Sequence, residues 1–169
     1  FENNMFSFVS IKKLQIPLKL KKICDKWSFR LKDLIYIEVS PKNKLFSYID
    51  NKYLVSKSNS ASDVFDILLY ARYDIEEAVI PPQIEIIHEN SFYDHPQLKS
   101  VISPKNSNLK CIEDLSFYQS TISKLVLPDS LECIHPKAFT EIENLNEIQI
   151  SPKNELFSVI DKTILVNKS

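Results

Sequence analysis

From residue 80 to residue 152 the apolar positions return at a nearly fixed spacing, and a proline marks each return. IPPQIEIIHENSFYDHPQLKSVISP (80–104), SPKNSNLKCIEDLSFYQSTISKLVLP (103–128) and LPDSLECIHPKAFTEIENLNEIQISP (127–152) share one template. It runs Leu or Ile, two variable positions and Ile, then a small residue and Phe, then a short strand-like run that ends in Pro. Ile84/Ile87, Leu109/Ile112 and Leu131/Ile134 fill the first pair, and Phe92, Phe117 and Phe139 fill the aromatic place. Leu98/Val101, Ile122/Leu125/Leu127 and Leu145/Ile148/Ile150 fill the final run. A weaker copy at 16–41 carries Leu20, Ile23, Phe29, Leu34, Ile37 and Val39. The proline spacings, Pro17 to Pro41, Pro81 to Pro104, Pro104 to Pro128 and Pro128 to Pro152, are 24, 23, 24 and 24 residues.

A unit of this size cannot bury its apolar side alone, so units stack and equivalent residues form columns. The alternation in Leu145-Asn-Glu-Ile-Gln-Ile150 predicts a strand with Ile148 and Ile150 on one face and Glu147 and Gln149 on the other. Four coils are expected, at about 16–41, 80–104, 103–128 and 127–152, within one solenoid domain covering residues 1–169. Between the first coil and the rest, Lys52–Ser56 and Phe65–Ala71 are strand-like in composition and SKSNSASD reads as a loop, which predicts an inserted hairpin at about 45–75.

SPKNKLFSYIDNKYLVSKS (40–58) and SPKNELFSVIDKTILVNKS (151–169) agree at 13 of 19 positions. The second copy is expected to begin a new cassette, truncated at 151–169, of which only the lead-in to the hairpin is present. The chain starts at Phe1 and is read as a piece of something longer. Its uncapped edge at Ile164–Val166 is expected to favour self-association.

Composition narrows the chemistry. The absence of glycine excludes the phosphate loop, the GxGxxG dinucleotide turn, the GxSxG nucleophile elbow and the EF-hand loop, each of which needs its glycine. A net charge of −1 argues against nucleic acid as a partner of the whole chain. Charge is nonetheless uneven: residues 1–30 hold seven Lys or Arg against Glu2 and Asp25, and residues 61–90 hold seven acids against Arg72. Apolar runs fall short of the ~20 residues that span a bilayer, so no membrane insertion by this segment is expected.

With the template in view, IPPQIEIIHENSF and LPDSLECIHPKAF resemble the BspA-like, or treponemal-type, leucine-rich repeat, and the SPKN-x-LFS-x-ID element is similar to interrupting segments of its protist members. The resemblance implies a strand-rich α/β leucine-rich-repeat solenoid with little helix, a right-handed superhelix interrupted by a β-hairpin. It also implies display at the cell surface or outside the cell, and adhesion to matrix proteins or other cells. The family's Gly after Ile is replaced by Cys24, His88, Glu113 and His135, so that turn must accept side chains.

His88, Glu113 and His135 share a column ~5 Å apart from coil to coil, which admits a metal site or, as we favour, a solvated turn; no metal or cofactor is expected. His95 is expected on a surface loop. Cys111 and Cys133 occupy one repeat place and admit either a bridge between coils or two free buried thiols; with three cysteines, not all can pair. Asn167-Lys168-Ser169 matches a glycosylation acceptor, a pattern chance also supplies. The basic run Lys12–Lys26 reads as a solvated face. The spacing of Ser, His and Asp singles out no nucleophile, and an enzyme is not expected. The residues expected to bind are the outward ones of the repeat strands: Tyr36, Glu38, Lys99, Ile102, Lys124, Val126, Glu147 and Gln149. They suit a protein partner, such as a matrix or host-cell surface protein, or are simply strand-favouring choices on an exposed sheet. A spacer array without its own ligand is the alternative function.

Overall fold

The alternation written in KLVL and EIQI is realised as strands whose every second side chain is buried. The structure, a computed structural model, describes residues 10–24, 27–28 and 31–168; Phe1, Glu2, Asp25, Lys26, Phe29 and Ser169, named above, lie outside them. In chain order the strands are β1 (Lys13–Ile16), β2 (Tyr36–Val39), β3 (Phe46–Ile49), β4 (Tyr53–Ser56), β5 (Ile67–Ala71), β6 (Glu77–Val79) and β7 (Ile86–Ile87). They continue as β8 (Ser100–Ile102), β9 (Cys111–Ile112), β10 (Lys124–Leu127), β11 (Cys133–Ile134), β12 (Glu147–Ile150), β13 (Phe157–Ile160) and β14 (Ile164–Asn167).

Two parallel stacks result. One sheet runs β12-β10-β8-β6, with Ala78, Val101, Leu125 and Ile148 in register and buried. The other carries β11-β9-β7-β5, with Leu68, Ile87, Ile112 and Ile134 in register. Between the stacks, Phe92 and Phe117 lie face to face at 4.9 Å, and Phe117 and Phe139 at 5.2 Å. Like thus sits over like, as the template demands.

The chain is a strand-rich β-solenoid, and the α/β expectation needs correcting, because no helix occurs among the described residues. The segments that carry the chain from sheet to sheet are turns in which alternate amides donate to the next coil and not within a helix. Phe92 N–H reaches Ser116 O at 2.8 Å, Asp94 N–H reaches Tyr118 O at 2.7 Å, and Phe117 N–H reaches Ala138 O at 2.9 Å. The amides between them close local turns, as Tyr93 N–H does on Asn90 O and Tyr118 N–H on Leu115 O, both at 3.2 Å, so the backbone is satisfied by the neighbouring coil and by the turn in alternation.

Lacking glycine, the chain places other residues in the left-handed region. Asn90 and Leu115 occupy one turn place, and Asp94, Gln119 and Glu141 another, all at φ between 50° and 59°. None of Cys24, His88, Glu113 and His135 is among them. The family's glycine column therefore asks for no left-handed residue here, and in two coils the strain falls two residues later.

Residues 40–71 form an antiparallel meander, β3-β4-β5, which joins the second stack through β5. Pairing of β4 with β5 matches the strand-like segments read from composition. What the pattern hid is that the duplicated element is itself a hairpin: β3–β4 turns at Asp50-Asn51 and β13–β14 at Asp161-Lys162, all four at positive φ. Each copy is anchored by a buried asparagine. Asn43 Nδ2 donates to Pro17 O while its Oδ1 accepts from the amides of Leu45 and Phe46. Asn154 repeats this, reaching Pro128, Asp129 and Leu131 carbonyls and accepting from Leu156 and Phe157. In the third SPKN run Asn106 is exposed and Ser107 is buried in its stead.

The meander also divides the core. Leu54 and Tyr70 face a first cluster with Leu14, Ile16, Trp27 and Leu34, whereas Tyr53, Val55 and Leu68 face a second that runs on to Ile148. Tyr70 Oη donates to Leu34 O at 2.9 Å, tying the first coils to β5. His95, expected on the surface, is 1% exposed. Its ring stacks on Tyr73 at 5.1 Å, and Nε2–H donates to Arg72 O at 2.8 Å. Its place in the repeat, after the Phe of its coil, turns it inward.

Phe117→Ala should cost roughly 3–5 kcal/mol by urea unfolding, because the fully buried ring stacks on both neighbours, and Phe139→Ala should cost less. Lys162 is exposed at φ 63° in the β13–β14 turn, so Lys162→Gly relieves the left-handed penalty and should raise stability by about 0.5–1 kcal/mol, measured by calorimetry. Burial pushes His95 down to about 4 from 6.5, while its backbone bond to Arg72 opposes the shift. The unfolded chain therefore binds a proton that the folded one refuses, and stability is lost as pH falls from about 6.5 to about 4. The loss amounts to about 3 kcal/mol. His95→Phe should flatten that part of the Tm-against-pH curve.

Candidate interaction surface

The outward positions of the four-stranded sheet form two straight rows. In-register pairing sets Val79, Ile102, Val126 and Gln149 side by side, and Glu77, Ser100, Lys124 and Glu147 in the row beside them. The structure thus brings together Ile102, Lys124, Val126, Glu147 and Gln149, with Lys99 flanking at the start of β8. Tyr36 and Glu38 stand apart, on the two-stranded sheet β1–β2. Sequence reasoning missed Val79, which is 43% exposed and heads the apolar row. The signal was present in Glu77-Ala-Val-Ile-Pro81, which repeats the end of the template but lies before the first full unit recognised.

Ion pairs form within the charged row and beside it, while Glu77 accepts from the Ser100 hydroxyl at 3.3 Å. Lys99 Nζ meets Glu76 Oε2 at 2.5 Å, and Lys124 Nζ meets Glu147 Oε1 at 3.2 Å. On the first sheet Lys13 pairs with Glu38 at 3.1 Å. Hydrogen bonds from Gln149 and then Lys124 hold the Glu147 carboxyl below the usual range, and Gln15 and Lys13 do the same for Glu38. Pairs this exposed contribute little to stability. They leave a sheet face of aliphatic side chains between matched charges. At the proline corner the face opens into a groove of about 510 Å³ bordered by Val126, Gln149, Lys105 and Lys153.

The second stack has its own outward rows. Cys111 and Cys133 pair in register and are joined by a disulfide, with Cα atoms 4.7 Å apart, so the bridge fastens one coil to the next; Cys24 is free. His88, Glu113 and His135 do line up, but His88 Nε2 lies 3.8 Å from Glu113 Oε2 while His135 Nδ1 turns to Asp114 Oδ1 at 3.1 Å. The two imidazoles are thus drawn to different carboxylates and do not converge on a common point. Among the described residues no group of three His, Cys, Asp or Glu side chains is placed to hold a metal ion. No helix among them is long and apolar enough to cross a membrane.

The fold has solved counterparts. A leucine-rich repeat protein from Eubacterium ventriosum superposes with a TM-score of 0.68 at 20% identity, covering 84% of this chain and 37% of its own. The pneumococcal vaccine antigen PcpA gives 0.61 at 21% identity, covering 85% and 40%. A leucine rich cell surface protein from Faecalibacterium prausnitzii gives 0.51 at 19% identity, covering 84% and 48%. The chain therefore spans less than half the length of each. No curated protein matches it. The model of the BspA type leucine rich repeat region matches residues 66–166 in 6 copies, more than half of the sequence and the same stretch in which the columns are most regular. By that match and by its stacked coils, the chain belongs to the BspA type leucine rich repeat family.

Proposed function

We propose that the chain is a non-catalytic protein-binding module of a cell-surface protein, engaged in adhesion to a matrix or host-cell protein through its four-stranded sheet. The observation that carries this reading is the outward apolar row Val79–Ile102–Val126, exposed at Val79 and half-buried at Ile102 and Val126, with ion pairs beside it. Aliphatic anchors ringed by polar groups are what a protein partner desolvates most cheaply. The solved neighbours support a surface location by their descriptions, one as a cell surface protein and one as a vaccine antigen. To the same reading belong the right-handed superhelix and the view of residues 45–75 as a hairpin between cassettes.

A spacer role is favoured by one specific observation: Lys99, Lys124 and Glu147 are already paired within the sheet and offer no unmet charge to a ligand. A pull-down against a panel of purified matrix proteins separates the two readings. Binding by the unaltered chain is expected, with a loss of at least about tenfold on replacing Lys99, Ile102, Lys124 and Val126 together, since a few central residues dominate such interfaces. Retained binding would remove this face from consideration, and no binding by the parent chain would favour the spacer.

A further inference from the structure

The two SPKN hairpins provide an internal comparison, because residues 40–58 and 151–169 correspond at a shift of 111. Alternate amides of a parallel strand point to opposite edges. On β2 the amides of Tyr36 and Ser40 donate back to Lys12 and Ile16, so Ile37 points to the far edge. On β12 Glu147 and Ser151 donate back to Ser123 and Leu127, so Ile148 points the same way. There the second hairpin closes on the strand: Ile148 N–H donates to Lys162 O, at the hairpin tip, over 2.5 Å.

The first hairpin does not close. Asn51 O, the counterpart of Lys162 O, accepts instead from the Arg72 guanidinium at 2.9 Å, and Arg72 is itself braced by Asp74. Among the described residues β2 pairs with β1 alone, so no strand is paired on the side to which the Ile37 amide points. Between β2 and the hairpin that Arg72 holds back lies a groove of about 490 Å³, walled by Tyr36, Val39, Phe46, Tyr48, Asn51 and Phe65.

We propose that this groove is a strand-acceptor slot, kept open by Arg72, in which an extended, uncharged polypeptide segment pairs its backbone with the free edge of β2. Three observations choose this occupant. The seat is a backbone amide in a row of strand-edge groups, and in the second copy a backbone carbonyl fills it. Among polar backbone and side-chain groups the walls offer the rings of Tyr36, Tyr48 and Phe65, against which a strand can lay the apolar side chain it presents at every second residue. The one carboxylate on the wall, Glu38, is already held by Lys13 and Gln15, so a charged segment gains nothing there. This slot is independent of the sheet face proposed above and stands or falls separately.

The test uses the full 169-residue chain, amide hydrogen exchange followed by NMR, and as probe the capped peptide Leu-Phe-Ser-Val-Ile, the sequence of residues 156–160. The probe should slow exchange of the Ile37 amide at least about fivefold and leave β8 and β10 unchanged, the latter also reporting that each variant is folded. Arg72→Ala should release the hairpin tip onto β2, so that Ile37 is protected without the probe and the probe adds nothing. Arg72→Lys, which keeps a donor for Asn51 O, should restore the original response. An Ile37 amide indifferent to the probe, or an Arg72→Ala chain that responds as the parent does, would overturn the proposal.

Discussion

Every other feature of this solenoid depends on in-register stacking, the constraint that the residue above must be an acceptable neighbour for the residue below. A coil of two dozen residues has too little interior of its own to be stable, and its apolar side chains are covered mainly by the coils on either side. That is why Ala78, Val101, Leu125 and Ile148 occupy one line and why the Phe rings lie nearly parallel, 10–12° between planes. The same geometry supplies the turns with hydrogen-bond partners. It also explains how a chain without glycine folds at all: left-handed residues are tolerated where the next coil fixes the backbone, as when Gln119 N–H bonds Thr140 O.

The parts of the fold legible in the sequence are those that stacking repeats. Period and template located the buried Ile, Leu and Phe columns because one physical requirement acts on each coil in turn. The parts that were not legible are single-copy. His95 looked like a loop residue because no other coil carries His at that place, and its burial against Tyr73 is a contact between a coil and the meander. The two anchoring asparagines lay within a duplicated motif whose recurrence was plain while its cause was not. A carboxamide that donates to the coil before it and accepts from the turn after it is visible only in three dimensions. Cys111 and Cys133 sat between these cases: their shared column was readable, but the choice between bridge and free thiols was not.

The candidate surface was legible to a similar degree. Alternation identified which side chains of β8, β10 and β12 point outward, since a strand's period is strict. It did not reveal how their charges would be spent. Lys99, Lys124 and Glu147 suggested a charged rim, yet pairing across coils is the natural fate of opposite charges held about one strand spacing apart. What remains unspent is apolar, and in a stacked fold it remains in a line. Selectivity for a partner would then rest on the shape and spacing of Val79, Ile102 and Val126 more than on the sign of the surface.

The meander shows how one motif can yield two local structures. Hairpin strands in both copies are set by the same Asn-anchored turn, but β4 is buried throughout, shared between two cores and paired with β5, whereas Ile164, the counterpart of Tyr53, is half exposed. Once β5 is in place, Arg72 follows immediately and claims the hairpin tip, so the edge of β2 loses the partner that the edge of β12 keeps. The difference between the copies therefore originates in a third strand and one guanidinium, and not in the hairpin sequence. A repeat protein can open a recess in its wall in this way without abandoning the register that holds the wall together.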